Sequence, residues 1–254
     1  MSPAAAQPSG PTFFFDRPTL RARGLALRGD YAAARPFPHV ALDGLLGDAL
    51  SAALAAAFPR PDHPGWMRRD YDEQSARLGQ LQRAGFAGVH PMIRHLLNEL
   101  CGMAFLDFLS ALTGVEGLIA DPHFRGAGPS CTLRGGHLGI HADFNRDRTR
   151  HLRRRLTALY YLPTDWRPEW GGALELWDDP RARAVASYLP ERDRLIVMGH
   201  GDTCWHGHPT PLACPDDRFR ACVGAYYYVA DASAAEGDAH GAIWAPAAAG
   251  SEGP

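Results

Sequence analysis

Helices followed by a β core of about eight strands, of sandwich or jelly-roll barrel type, is the fold class that the sequence predicts. Three observations carry it. Before Gly117 apolar residues recur at helical spacing. From Gly117 onward short runs rich in β-branched and aromatic residues alternate with Gly, Pro and Asp clusters. The chain has 254 residues, 46% of them hydrophobic, enough to bury a substantial core.

The elements follow in order. Residues 1–12 are small, polar and proline-bearing and read as a disordered leader. Phe37–Val40, after Pro36, reads as a strand. Asp43 precedes Leu45, Leu46, Leu50, Ala53, Leu54 and Phe58 at helical spacing, which makes it the expected N-cap, with Pro59 and Pro61 as the stop. A second helical stretch runs from Met92 through Leu96, Leu97, Leu100 and Phe105 to Leu109 and Leu112, broken at Gly102 and ended by Gly114. Residues 13–116 are therefore expected to be a helical region packing on the core, and residues 117–230 the core itself. Its candidate strands are Leu118–Ala120, Thr132–Ile140, Leu156–Leu162, Ala173–Trp177, Ala184–Tyr188, Arg194–Met198, Thr203–His206 and Ala221–Val229. Residues 231–254, rich in Ala and Gly, read as a flexible tail from which Trp244 can dock. Trp166, Trp170 and Trp177 read as packing residues.

Composition narrows the function. The formal net charge is -2, which argues against a nucleic-acid partner. The run Arg153-Arg154-Arg155 reads as a solvated strand end. The chain contains no lysine, which excludes Schiff-base enzymes and P-loop NTPases, whose chemistry needs that amine. Five cysteines, Cys101, Cys131, Cys204, Cys214 and Cys222, make an odd number with no C-x-x-C pair, so a reducing cytoplasm is expected rather than a disulfide framework. The first twelve residues lack the features of a signal peptide. No apolar run approaches the roughly 20 residues that span a bilayer. A soluble protein without a membrane partner is the expectation.

The chemistry concentrates in His141-Ala142-Asp143, after the strand ending at Ile140. Residues spaced by two share a face of an extended chain, so an imidazole and a carboxylate can reach one ion. A third ligand is available in Cys204-Trp205-His206-Gly207-His208-Pro209. His206 and His208 share parity, and His200 is a more distant candidate. Two histidines and a carboxylate form the facial triad of non-haem iron(II) oxygenases, which leaves open positions on the metal. Arg220 begins Arg220-Ala221-Cys222-Val223-Gly224-Ala225-Tyr226, where alternation puts Arg220, Cys222 and Gly224 on one face. A guanidinium there suits a dicarboxylate. Arg218 shares its parity but lies nearer a turn. A zinc site on Cys204, His206, His208 and Cys214 fits no common zinc module and leaves His141 and Asp143 unexplained.

In the stretches GGHLGIHADFN, LTALYYLPTDW, EWGGALELWD, ERDRLIVM, CWHGHPTPL and RACVGAYYY, the chain resembles the prolyl-4-hydroxylase-like branch of the 2-oxoglutarate and iron(II)-dependent dioxygenases, over about residues 128–229. The resemblance implies a double-stranded β-helix, cupin-like core. It implies His141, Asp143 and His206 as catalytic metal ligands, with the register of Gly and Pro after the histidine favouring His206 over His208. It implies Arg220 against the distal carboxylate of 2-oxoglutarate and Tyr161, next to Tyr160, on the same group. Cys222 stands where a small hydroxyl residue is common. Iron(II), 2-oxoglutarate and O2 are the implied cofactors, with ascorbate a further candidate. The implied reaction is hydroxylation of an unactivated C–H bond of an amino-acid-like substrate, a peptidyl residue such as proline or a free or carrier-bound amino acid. A natural-product tailoring oxygenase and a non-catalytic metal-binding or interaction module on the same fold are the alternatives. Specificity is expected in loops near Arg125–Arg134 and Asn145–Arg155, and the roles of Asn145 and His208 stay open.

Overall fold

The computed structural model describes residues 13–180, 182–231 and 239–245, so the expected leader and most of the tail lie outside the described residues. Chain order is α1 (Arg17–Ala33), β1 (His39–Asp43), α2 (Asp48–Ala57), β2 (Met67–Tyr71), β3 (Gln74–Gly79), α3 (Pro91–Cys101), α4 (Met103–Thr113), β4 (Ile119–Ala120), β5 (Gly128–Ala142), β6 (Arg146–Asp147), β7 (Leu152–Tyr161), β8 (Leu174–Trp177), β9 (Ala184–Tyr188), β10 (Arg194–Gly199), β11 (Trp205–His208), β12 (Arg220–Ala230) and β13 (Ile243–Trp244). Eight strands run antiparallel in the order β1-β10-β7-β12-β5-β11-β8-β9 and curl into a nearly closed barrel. This is the jelly-roll core expected from the sequence.

Strand alternation assigns each side chain of the central strands to one of two cores. In β7, β10 and β12, Leu156, Ala158, Tyr160, Leu195, Val197, Ala221, Val223, Ala225 and Tyr227 face the helices. There they meet Leu54, Leu96, Leu100, Phe105, Phe108 and Leu112. Each large apolar side chain among them contributes about 2 kcal/mol by leaving water, and each alanine under about 1 kcal/mol. Tyr161, Ile196, Met198 and Cys222 point the other way and join Leu174 and Leu176 inside the barrel. One strand face thus anchors the helices while the other lines the interior.

The region before residue 117 is less purely helical than the spacing suggested. β1 extends the main sheet, pairing with β10 from His39 opposite Met198 to Asp43 opposite Arg194. β2 and β3 form a hairpin whose second strand pairs with β5. Asp43 does not cap α2. It ends β1 and holds Arg194 through two contacts of 2.6 and 2.9 Å. The turn before α2 is instead held by Asp193, whose carboxylate accepts from the Leu46 and Gly47 N–H groups at 2.9 and 2.8 Å. Helix α1 has no wide apolar stripe, and its docking depends on Gly24. A Cβ there would lie 2.7 Å from the Phe108 carbonyl oxygen, so only glycine lets α1 approach α4 so closely. Gly102 separates α3 from α4, which meet at 48°. No single described helix is long and apolar enough to cross a membrane.

Candidate metal and cosubstrate site

β5 and β11 bring the two histidines together. His206 lies directly opposite His141 in the ladder, with ring centroids 4.5 Å apart. Asp143, just beyond the end of β5, turns its carboxylate toward both rings. Its Oδ1 is 3.6 Å from His141 Nε2 and its Oδ2 is 3.5 Å from His206 Nε2. One candidate ligand atom from each residue falls within 4.8 Å of the others, the one such group of His, Cys, Asp or Glu among the described residues.

The ring nitrogens fit a metal. His141 Nδ1 sits 2.9 Å from the Gly139 carbonyl oxygen, and His206 Nδ1 sits 2.9 Å from that of Cys204. A carbonyl only accepts, so each Nδ1 carries the proton and each Nε2 turns a lone pair toward the shared centre. Burial pushes the His206 imidazolium down to about 4, with the neighbouring His141 adding to the effect, so the ring is neutral at pH 7. Burial alone would raise the Asp143 carboxyl. The Arg154 guanidinium overrides it and holds the group well below the usual carboxylate range. Two imidazoles and one ionised carboxylate on a single face suit a divalent metal with open positions.

Arg154 corrects the expectation of a solvated basic run. It is buried, donates to Asp143 Oδ2 at 2.6 Å and to Thr157 Oγ1 at 2.7 Å, and lies 3.3 Å from the centre of the Tyr226 ring. The reason is a bulge. Tyr227 faces Leu156 and Tyr228 faces Arg154, so Arg155 is an extra residue on β7. Beyond it Arg154 turns to the barrel side, where simple alternation from Leu156 would have put it among the helices.

Arg220 and Tyr161 meet as the sequence suggested. Arg220 is buried, and it donates from Nε to the Gly172 carbonyl at 2.6 Å and from an Nη to the Tyr161 hydroxyl at 2.9 Å. Gly172 belongs to the Trp-Gly-Gly stretch, and its φ of +75° suits glycine. A Cβ there would come within 2.5 Å of Leu212 and 3.3 Å of Arg220 Cδ. Cys222 lies opposite Tyr161 on the barrel side, and burial pushes its thiol up to about 11, which the Arg220 charge partly offsets. Arg218 precedes the strand and is exposed. Tyr160 faces the other way and donates to Asp193 at 2.9 Å.

A cavity of about 210 Å³ joins these groups, lined by His141, Asp143 and His206 at one end and Arg220 and Cys222 at another. His208 also lines it, buried and without a partner for Nδ1 among the described residues, but stands outside the three-residue cluster. His200 is outside both. Asn145 accepts from the His240 N–H at 3.1 Å. The cysteines are free thiols, and Cys214 packs with Trp166 and Leu212 away from the zinc arrangement considered above. Trp166, Trp170 and Trp177 do not line the cavity. Two of its walls were not foreseen. Trp244 on β13 pairs with His141 and lies 4.9 Å from its ring. The hairpin β2–β3 supplies Arg69, Tyr71, Gln74 and Arg77, whereas residues 145–155 supply none of the lining and residues 128–134 are strand rather than loop.

The comparisons with known proteins fall on the same segment. Residues 128–228 match the family model described as the 2OG-Fe(II) oxygenase superfamily. This segment is a 2OG-Fe(II) oxygenase domain. The enzyme is accordingly a 2-oxoglutarate-dependent oxygenase, with iron(II) as metal and 2-oxoglutarate as cosubstrate. Its fold is similar to a prolyl hydroxylase from Trichoplax adhaerens solved with a hypoxia inducible factor oxygen degradation domain peptide, at TM-score 0.56 and 16% identity, covering 83% of this chain and 91% of that one. It is also similar to prolyl 4-hydroxylases from Phytophthora capsici, at TM-score 0.55 and 16% identity, covering 92% of this chain and 71% of that one. No curated protein matches the sequence.

Proposed function

We propose that His141, Asp143 and His206 hold the iron, that Arg220 and Tyr161 grip the distal carboxylate of 2-oxoglutarate, and that the enzyme hydroxylates an unactivated C–H bond of an amino-acid-like substrate. The observation that carries this reading is one cavity joining a two-histidine, one-carboxylate face to a buried, tyrosine-braced arginine. When bound, the iron supplies O2 activation, with one oxygen atom entering the substrate and the other the succinate formed as 2-oxoglutarate loses CO2. The protein's own contribution is positional. Arg154 keeps Asp143 ionised and fixes its Oδ2, the Gly139 and Cys204 carbonyls fix both imidazole tautomers, and Gly172 holds Arg220 by accepting from its Nε. Trp244 covers His141 and limits water at that edge of the site. Cys222, opposite Tyr161, packs beside the cosubstrate pocket in place of a hydroxyl residue. The intact set argues against a non-catalytic module. The test is succinate formation coupled to a mass gain of one oxygen in a screen of amino acids, peptides and small metabolites. Succinate without any oxidised product across the screen would set aside an amino-acid-like substrate.

A further inference from the structure

The hairpin β2–β3 lays a row of arginines across the cavity that the metal and cosubstrate chemistry leaves unused. Directly opposed residues of antiparallel strands share a face. Arg69 lies opposite Arg77, Arg77 opposite Thr132, and Thr132 opposite Arg220. All of these line the cavity, so adjacent strands present three guanidiniums on one face. Like charges set opposite each other are destabilising, and an anion between them relieves the repulsion. Among the described residues Asp143 is the one carboxylate lining the cavity, and it is engaged by Arg154 and lies against both histidines. On the hairpin itself Asp70 accepts from Arg68 and from the Ala76 N–H, while Asp72 and Glu73 do not line the cavity.

Gln74 is a second, independent observation. It is 3% exposed and lines the same cavity, and its amide nitrogen has no hydrogen-bond partner among the described residues. A buried N–H donor without an acceptor bears its full desolvation cost, so such a donor marks where an acceptor docks. An unpartnered amide in the same cavity as an opposed arginine pair calls for an acceptor-rich anion.

We propose that Arg77, with Arg69 opposite it and the Gln74 amide lining the same cavity, is a carboxylate subsite for the primary substrate. The enzyme then takes a small molecule bearing a free carboxylate, such as a free or N-acylated amino acid, rather than a residue inside a polypeptide. This rests on the oxygenase reading above, in which Arg220 is reserved for 2-oxoglutarate. Arg77 and Arg220 stand on strands flanking β5, roughly 10 Å apart by strand spacing. Two carboxylates therefore fit in one cavity, each with its own planar guanidinium to bind both oxygens.

Calorimetry on the protein loaded with iron(II) and 2-oxoglutarate under nitrogen tests this, with a panel of N-acetyl amino acids as carboxylate probes and the matching N-acetyl amino amides as neutral ones. The expected result is that at least one acid binds, with its amide about tenfold or more weaker. Arg77→Gln removes that preference and Arg77→Lys restores part of it, while 2-oxoglutarate affinity changes by less than about threefold in both. Cosubstrate binding by the variants shows that they are folded. The proposal is overturned if no acid in the panel binds, if acid and amide bind alike, or if Arg77→Gln weakens 2-oxoglutarate as much as the acid. Failure of wild-type protein to bind iron(II) or 2-oxoglutarate overturns the oxygenase reading instead, and is seen before any probe is added.

Discussion

The Arg154 guanidinium donates to Asp143 Oδ2 at 2.6 Å while its face lies against the Tyr226 ring, so the carboxylate beside the two histidines is fixed by a buried cation from the next hairpin. Asp143 is thereby ionised and immobile before any metal arrives.

Replacing Arg154 tests that role. Arg154→Met keeps the bulk and removes the charge, so the Asp143 carboxyl rises toward and past its ordinary range. Protons then compete with the metal at higher pH, and the acid edge of iron(II) binding moves upward. Affinity at pH 7 falls by about 10- to 100-fold, as is usual when a group orienting a ligand is lost. Iron(II) titrations across pH check it, and an unmoved acid edge contradicts it.

The two neighbouring histidines of β11 separate cleanly. His206→Ala loses iron(II) binding and turnover, because one of three ligands is gone. His208→Ala retains the metal and some uncoupled 2-oxoglutarate decarboxylation. The reverse result, read from metal content and succinate release, moves the ligand to His208.

Gly172→Ala probes the arginine clamp without replacing a charged residue. The added methyl meets Leu212 and Arg220 at a φ of +75°, so the guanidinium shifts away from Tyr161. The KM for 2-oxoglutarate rises by roughly tenfold or more, since a buried charged pair is sensitive to geometry. Iron(II) affinity stays near wild type, and equal loss of both points to general unfolding instead.

Asp193→Ala tests the frame. It removes acceptors from the Leu46 and Gly47 N–H groups and from the Tyr160 hydroxyl. The Tyr160 hydroxyl is fully buried and costs about 1–3 kcal/mol when left unpaired, whereas water can reach the partly buried Leu46 and exposed Gly47 N–H groups. A loss of about 2 kcal/mol in urea unfolding is expected, and a change below about 0.5 kcal/mol contradicts the assignment.

How far the sequence could be read follows from range. His141 and Asp143 are two residues apart on an extending strand and Arg220 opens a visibly alternating one, so these were legible from the residues, whereas Tyr161 and the choice of His206 over His208 followed from the family resemblance. Arg154 was not legible, because the bulge at Arg155 inverts its face and the register shift that causes it is set by the partner strand β12. Asp43 looked like a cap because it precedes an apolar helix. The residue holding that turn is Asp193, distant in sequence and brought there by β10. The hairpin β2–β3 was missed because its first strand is exposed throughout and rich in charge, with no alternation to signal a strand. Trp244 reaches His141 through a pairing of only two residues, Ile243 and Trp244, in an Ala- and Gly-rich stretch.

The most direct test of the central claim is anaerobic iron(II) titration followed by succinate formation on admitting O2, for wild type, His141→Ala and Asp143→Ala. The account predicts iron-dependent conversion of 2-oxoglutarate to succinate by wild type and loss of both iron binding and turnover in each variant. Near-normal turnover in both variants, or succinate formation by wild type without iron, would contradict it.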